Sequence, residues 1–144
     1  MKIKSFRGKI TDGAIDTIPL RTNNGSIGYK IVKFEVIGQE PMGTDQEAVI
    51  KIYSILQSAA TNTIDFSDNT LLAVAFYEND ANTAYFGGTS IVFDNTKFNQ
   101  DIYVTNQSST GSMNYYIELE QMPLALDENT VATLKDIRNI VGNV

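Results

Sequence analysis

The sequence predicts a single all-β domain, an antiparallel β-sandwich of jelly-roll-like type with a short C-terminal α-helix. Three observations favour this class: short segments that alternate apolar and polar residues, turn signals that recur roughly every ten residues, and a helical spacing confined to the C-terminal end. The chain has 144 residues, 42% of them hydrophobic, which suffices for one domain with its own core. We expect residues 1–126 to form the sandwich and residues 127–142 the helix.

The first half of the chain contains four strand candidates. Asp12-Gly13 is a hairpin-type turn, so we expect the first two strands to pair with each other. In the third candidate Val32, Phe34 and Val36 share one face, which we expect to be core. The fourth candidate is rich in isoleucine and tyrosine, which favour a strand. Helix-forming residues at its start make a helix the alternative. In chain order the candidates are residues 3–10, 14–20, 28–37 and 48–56.

The second half contains four further strand candidates. The segment 71–77 is a nearly continuous apolar run, which predicts burial on both faces of the sheet. The polar segment 106–112 predicts an exposed, mobile loop. Tyr115 and Tyr116 follow it, and strand alternation places one ring on each face, so one of the two is an interface candidate. In chain order these candidates are residues 71–77, 90–93, 101–105 and 114–120.

A short amphipathic helix is predicted for the C-terminal end. Asp127 is placed as an N-cap, and Glu128 complements the helix dipole in the first turn. Leu134 and Ile137 belong to an apolar stripe that could pack on a neighbouring subunit, so we take both as interface candidates. The residues that define the helix pattern are the staple pair Leu126 and Val131, the stripe Val131, Leu134, Ile137 and Val141, and the terminating Gly142.

The amino-acid composition lacks the residue types from which most active sites are built. The chain has no histidine, no cysteine and no tryptophan, so it lacks the commonest general base, thiolate nucleophiles and soft metal ligands. A serine-type triad is impossible because no histidine can activate Thr110 or Ser112. We therefore predict no enzyme, with no catalytic residue, no cofactor and no metal site.

Two groups of carboxylates leave alternatives open. Asp65 and Asp68 lie in a segment of oxygen ligands that calcium could accept, but Asp and Asn also cluster in turns, where they bond the local backbone. Glu118 and Glu120 lie two apart on one strand face, which suits either a pair of glycosidase carboxylates or a solvated sheet face. We favour the turn and the solvated face.

The charge of the chain is unevenly distributed. The net charge is −6, which argues against nucleic acid or an anionic membrane as the partner. Residues 1–51 nevertheless hold eight basic and six acidic side chains, whereas residues 52–134 hold ten acidic side chains and one basic one. We expect the basic N-terminal segment, which carries Lys2, Lys4, Arg7 and Lys9, to meet an acidic face of a neighbouring subunit. No apolar stretch follows residues 1–5, so we expect no secretory signal.

Several segments resemble small virion proteins of tailed bacteriophages, especially marine ones. The resemblance implies a β-sandwich protein that is built into the particle in many copies, as a capsid cement or decoration protein or as a neck or tail component. It implies no enzymatic residues. The segments that carry it are Gly8-Lys9-Ile10-Thr11-Asp12-Gly13, Ile18-Pro19-Leu20, Gly28-Tyr29-Lys30-Ile31, Asp65-Phe66-Ser67-Asp68-Asn69, Ala73-Val74-Ala75-Phe76-Tyr77, Met113-Asn114-Tyr115-Tyr116-Ile117-Glu118-Leu119-Glu120 and Ala132-Thr133-Leu134-Lys135-Asp136-Ile137-Arg138-Asn139.

The expected function is structural. We expect a capsid cement or decoration protein that stabilises the shell through contacts within a homo-oligomer, for example a trimer, and with the major capsid protein or another virion protein. Its place is then the virion, assembled in the host cytoplasm. The alternatives are a receptor- or glycan-binding module of a phage tail or fibre, another neck or tail component, and, third, an enzyme.

Overall fold

The computed structural model describes residues 2–22, 25–43, 45–80, 85–93 and 97–125. These residues form eight antiparallel strands and no helix, which confirms the all-β class. The helix predicted for residues 127–142, with Leu134 and Ile137, lies outside the described residues. The strands are β1 (Lys2–Ile10), β2 (Ile15–Ile18), β3 (Ile27–Gly38), β4 (Gln46–Tyr53), β5 (Leu71–Asp80), β6 (Tyr85–Val92), β7 (Ile102–Ser108) and β8 (Met113–Pro123).

The strands form two sheets. The three-stranded sheet has the order β1-β8-β3, and the five-stranded sheet has the order β2-β7-β4-β5-β6. The first strand therefore pairs with the last, and the second strand pairs with the one before the last. The strands β1 and β3 both pair with β8, while β2 and β4 both pair with β7. Apart from the β4–β5 and β5–β6 connections, pairing in this fold joins distant parts of the chain.

The Asp12-Gly13 turn does not close a hairpin, so that prediction is wrong. It carries the chain from β1 in one sheet to β2 in the other. Gly13 adopts φ 79°, a conformation that favours glycine, and the Ala14 N–H donates to the Thr11 carbonyl at 3.1 Å to close the turn. The turn is held in place by β7, because the Gly13 N–H donates to the carbonyl of Asn106 at 2.8 Å.

Buried side chains of both sheets form one hydrophobic core. Phe34 and Ile117 reach it from the three-stranded sheet, and Ile50 and Val104 from the five-stranded sheet. The predicted burial of 71–77 on both faces is confirmed, with only Phe76 half-buried. The core thus lies between the two sheets.

The core face predicted for β3 is wrong at Val32. Phe34 is buried as expected, but Val32 is 41% exposed and Val36 is half-buried. The register of β3 against β8 shifts between Ile31 and Lys33, which marks a β-bulge at Val32. Because the bulge adds one residue, Ile31 and Phe34 both face the core although they are three apart.

The segment predicted as an exposed loop, 106–112, is partly strand and partly buried. The strand β7 continues to Ser108, and Asn106 has an exposed fraction of 0%. Its amide Nδ2 donates to the Ile10 carbonyl at 3.1 Å, and the Ser108 N–H donates to Asp12 Oδ1 at 2.9 Å. These bonds tie β7 to the turn between the sheets, which is why polar residues are buried here.

Candidate interaction surfaces

The outer face of the three-stranded sheet is built by alternation along its central strand, β8. Tyr115, Ile117 and Leu119 face the core and are buried, so Asn114 and Tyr116 point outward. The register places Arg7 of β1 and Glu35 of β3 on either side of Tyr116. It likewise places Lys9 and Ile37 on either side of Asn114, and Ser5 and Lys33 on either side of Glu118.

Lysines of β3 form ion pairs with the carboxylates of this face. Lys30 Nζ lies 3.7 Å from Glu120 Oε2. Lys33 Nζ lies 3.8 Å from Glu35 Oε1 and 4.0 Å from Glu118 Oε2. These pairs are solvent-exposed and each stabilises the fold by only about 0–1 kcal/mol. Glu118 and Glu120 therefore have the surroundings of a solvated sheet face.

The basic residues of β1 have no such partners in the described part of the chain. Lys2, Lys4, Arg7 and Lys9 are all exposed, and none of them forms an ion pair with the residues that the structure describes. The register places Arg7 and Lys9 on the outer face and Lys2 and Lys4 on the opposite side, where Lys4 Nζ lies 5.6 Å from the ring centroid of Phe6. Since β1 is the edge of its sheet, this strand is a basic edge.

A shallow concavity of about 490 Å³ opens on the outer face beside Tyr116. Its lining includes Arg7, Glu35, Ile37, Asn114 and Tyr116. The Tyr116 side chain presents aromatic surface to solvent there, with a residue exposure of 37%. Aromatic surface, one cation, one carboxylate and one amide therefore converge at one place on the sheet.

Tyr115 and Tyr116 divide between the two faces as the sequence predicts, and only Tyr116 is accessible. The Tyr115 hydroxyl donates to Asp16 Oδ2 at 3.1 Å, which links the three-stranded sheet to β2. Burial and the neighbouring Asp16 carboxylate raise the pKa of Tyr115 to about 12. Its ring also lies over Gly8, where an added Cβ would sit 2.7 Å from the hydroxyl oxygen. Tyr115 thus joins the two sheets, and Tyr116 is the ring of the pair that is exposed.

A second surface is formed by the segment 54–70, which connects β4 to β5. This segment is anchored by Lys51, whose neighbours Ile50 and Ile52 belong to the core, so Lys51 points to the outer face of the five-stranded sheet. Lys51 is nevertheless only 1% exposed. Its Nζ donates to Thr61 Oγ1 at 2.9 Å and to the Thr63 carbonyl at 2.6 Å. Burial lowers the pKa of Lys51, and the Asp68 carboxylate partly opposes that shift.

The carboxylates of this segment are used in local turns. Asp65 Oδ1 accepts hydrogen bonds from both the N–H and the hydroxyl of Ser67, and these bonds lower the pKa of Asp65. Asp68 Oδ1 accepts from the N–H of Thr70 at 2.8 Å and from its hydroxyl at 2.6 Å. Both are Asx turns, which is the arrangement that the sequence favoured over calcium. Within the described ranges, no group of three or more acidic side chains is placed to hold a metal ion.

The same segment exposes apolar side chains. Phe66 is 58% exposed, and its ring meets Phe93 edge-to-face at 5.1 Å between centroids. Ile64 precedes it by two residues, and Ile91 lies two residues before Phe93 at the end of β6; both are exposed. We call these four residues, Ile64, Phe66, Ile91 and Phe93, the apolar patch.

Sequence reasoning missed both Lys51 and the apolar patch. Lys51 is one cation in an otherwise apolar strand, and that break in the pattern is a signal for a buried, hydrogen-bonded lysine. The patch gave no comparable signal, because Ile64 and Phe66 lie in a polar segment and Phe93 reaches them only through the fold.

Comparison with family models, curated proteins and solved structures found no match. Among the residues that the structure describes, no helix is long and apolar enough to cross a membrane.

Proposed function

We propose that this chain is a structural protein of a bacteriophage virion, most specifically a cement or decoration protein that stabilises the capsid shell as a homo-oligomer. The nested pairs β1–β8 and β2–β7 support a jelly-roll-like sandwich, an eight-stranded architecture that is common in capsid proteins. The resemblance to small virion proteins supports the same role.

The observation that carries this proposal is the apolar patch on an anchored segment. Phe66 contacts Phe93, and an exposed isoleucine lies two residues from each ring. Exposed apolar patches on a folded protein mark interaction sites. The segment beneath them is fixed by the buried amine of Lys51 and by two Asx turns. A partner therefore meets a surface that needs little ordering on binding, which favours affinity.

The association energy and the orientation of the contact come from different residues. Burying one large apolar side chain contributes about 1.5–3 kcal/mol, so Phe66 and its neighbours would supply most of the stabilisation. The basic edge β1 would set register and encounter rate against an acidic surface of a neighbouring copy or of the major capsid protein. Arg7 and Lys9, which lack ion-pair partners among the described residues, are available for that contact.

Purified particles test the proposal. Protein mass spectrometry should find the chain in the virion in many copies, and Phe66→Ser should deplete it from the particles while the soluble protein remains folded. Met42→Ser is the matched control, because Met42 is 93% exposed and lies outside the apolar patch. Particles that contain no copies of the chain would end this proposal. Particles with a few copies at one vertex would favour a neck or tail component.

A receptor- or glycan-binding module of a tail or fibre is the second candidate. The specific observation in its favour is the concavity beside Tyr116, where an exposed aromatic ring adjoins hydrogen-bonding side chains. Binding of a glycan by the isolated, soluble chain would distinguish it from a purely structural protein.

A further inference from the structure

We propose that the concavity beside Tyr116 binds an acidic sugar, meaning a sugar residue that carries a carboxylate, such as a uronic acid. This inference rests on the second candidate function and names the ligand class for it. The volume of about 490 Å³ lies within the range of sites that hold small ligands.

The electrostatics of the outer face select an anion. The described strands place three carboxylates on this face, and each lies within about 4 Å of Lys30 or Lys33, so the β3–β8 side has a net charge of −1. Arg7 and Lys9, on the opposite edge, have no carboxylate partner in the described part of the chain. With Arg7 and Lys9 the net charge of the face is +1, and its unpaired positive charge lies on β1, beside the concavity. An arginine guanidinium there can bind a carboxylate through two parallel hydrogen bonds.

The neighbouring side chains suit the rest of a sugar ring. Tyr116 lies directly between Arg7 and Glu35 in the register, so a ring that stacks on the tyrosine has a cation on one side and a carboxylate on the other. Neighbouring cross-strand positions are roughly 4.5–5.5 Å apart, which is about the span of one pyranose ring. The Asn114 amide and the free lone pairs of Glu35 can bond hydroxyl groups.

The binding groups are held in place before a ligand arrives. Arg7, Tyr116 and Glu35 belong to three hydrogen-bonded strands of one sheet and not to loops. Below them, the Tyr115 hydroxyl is bonded to Asp16 and its ring closes the space over Gly8. A site on a sheet supported in this way has little backbone conformational entropy to lose on binding.

Titration of the soluble full chain with defined probes tests this inference. The probes are the trimer of galacturonic acid, the neutral trimer of galactose and a hexaglutamate peptide, followed by NMR chemical shifts of the backbone amides. We expect the galacturonate trimer to shift amides of β1, β3 and β8 around Tyr116 and to bind at least about 10-fold more tightly than the neutral trimer, as expected for one charge-assisted hydrogen-bond pair.

Three variants locate the binding. Arg7→Gln and Tyr116→Ala should each weaken galacturonate binding by about 10-fold or more, because they remove the anion contact and the stacking surface. Lys2→Gln is the matched control, since it removes one positive charge from the same strand on the opposite side and should leave the affinity unchanged. Fold retention is checked by the unchanged amide spectrum of the two sheets.

Several results would overturn the inference. Equal binding of the neutral and acidic trimers would keep glycan binding but refute the acidic class. Binding of hexaglutamate without binding of either sugar would assign the site to an acidic protein surface. An equal loss of affinity in Lys2→Gln and Arg7→Gln would show only attraction by net charge. Binding of no probe would remove the glycan function, whereas the virion role is tested separately by particle composition.

Discussion

At the scale of single residues, neighbouring side chains on β8 have opposite roles. Tyr115 is buried and its hydroxyl links the two sheets through Asp16, whereas Tyr116 presents its ring to solvent. Strand alternation made this division predictable from the sequence. Which of the two rings faces the core could not be predicted, because that depends on how β8 pairs with β1 and β3, and both of those strands are far from it in the chain.

We expect ionisation of the Tyr115 hydroxyl to lower the stability of the fold at alkaline pH. Its pKa is raised to about 12 in the folded chain, against an ordinary value of 10.0, so between these values the unfolded chain binds fewer protons and stability falls as pH rises. Urea unfolding between pH 9 and pH 12 should therefore show a smaller decline for Tyr115→Phe than for the wild type. A decline for Tyr115→Phe as steep as that of the wild type would contradict the assignment.

The bulge in β3 predicts unequal effects of two substitutions on one strand. Phe34→Ser removes a fully buried ring and should lower the free energy of unfolding by about 3 kcal/mol or more. Val32→Ser changes a residue on the exposed side of the bulge and should cost less than about 1 kcal/mol. Chemical denaturation monitored by circular dichroism measures both. A similar loss of unfolding free energy in both variants would mean that Val32 faces the core, as plain alternation predicts.

At the scale of elements, strands were predictable where one face is buried, and least predictable where polar residues serve the fold. Alternation located β1, β3, β4 and β8 to within a few residues. The sequence predicts a loop at the end of β7 because Asn106 and Ser108 are polar, yet both are buried where they bond the turn between the sheets. The strand candidate 48–56 runs past Tyr53, where β4 ends, and the anchoring of the segment 54–70 by Lys51 depends on contacts with residues about ten positions away.

We expect the hydrogen bonds of Lys51 to hold the segment 54–70 in place. Lys51→Met keeps the length and apolar stem of the side chain but removes both hydrogen bonds to the segment. Amide hydrogen exchange in the segment should then speed up by about 10-fold or more, while exchange in the core strands changes little. Lys33→Met, which replaces an exposed lysine, is the control and should leave the segment unchanged. Equal protection of the segment in both variants would mean that Lys51 does not anchor it.

At the scale of the whole molecule, the all-β class followed from the sequence, but the arrangement of strands into sheets did not. The Asp12-Gly13 turn has the local sequence of a hairpin, yet it joins two sheets, because Gly13 bonds to β7 and not to a neighbouring strand. The charge asymmetry did anticipate a basic edge, which β1 provides. The apolar patch could not be anticipated, since it joins residues from two distant segments.

Site-specific crosslinking in assembled particles tests the proposed role most directly. Photoreactive benzoylphenylalanine would replace Phe66 in one set of particles and Met42 in another, and the crosslinked products would be identified by mass spectrometry. If the chain stabilises a virion through its apolar patch, the probe at Phe66 should capture a neighbouring copy or another virion protein in high yield, and the probe at Met42 should not. Absence of the chain from the particles, or equal capture at both positions, would contradict that role.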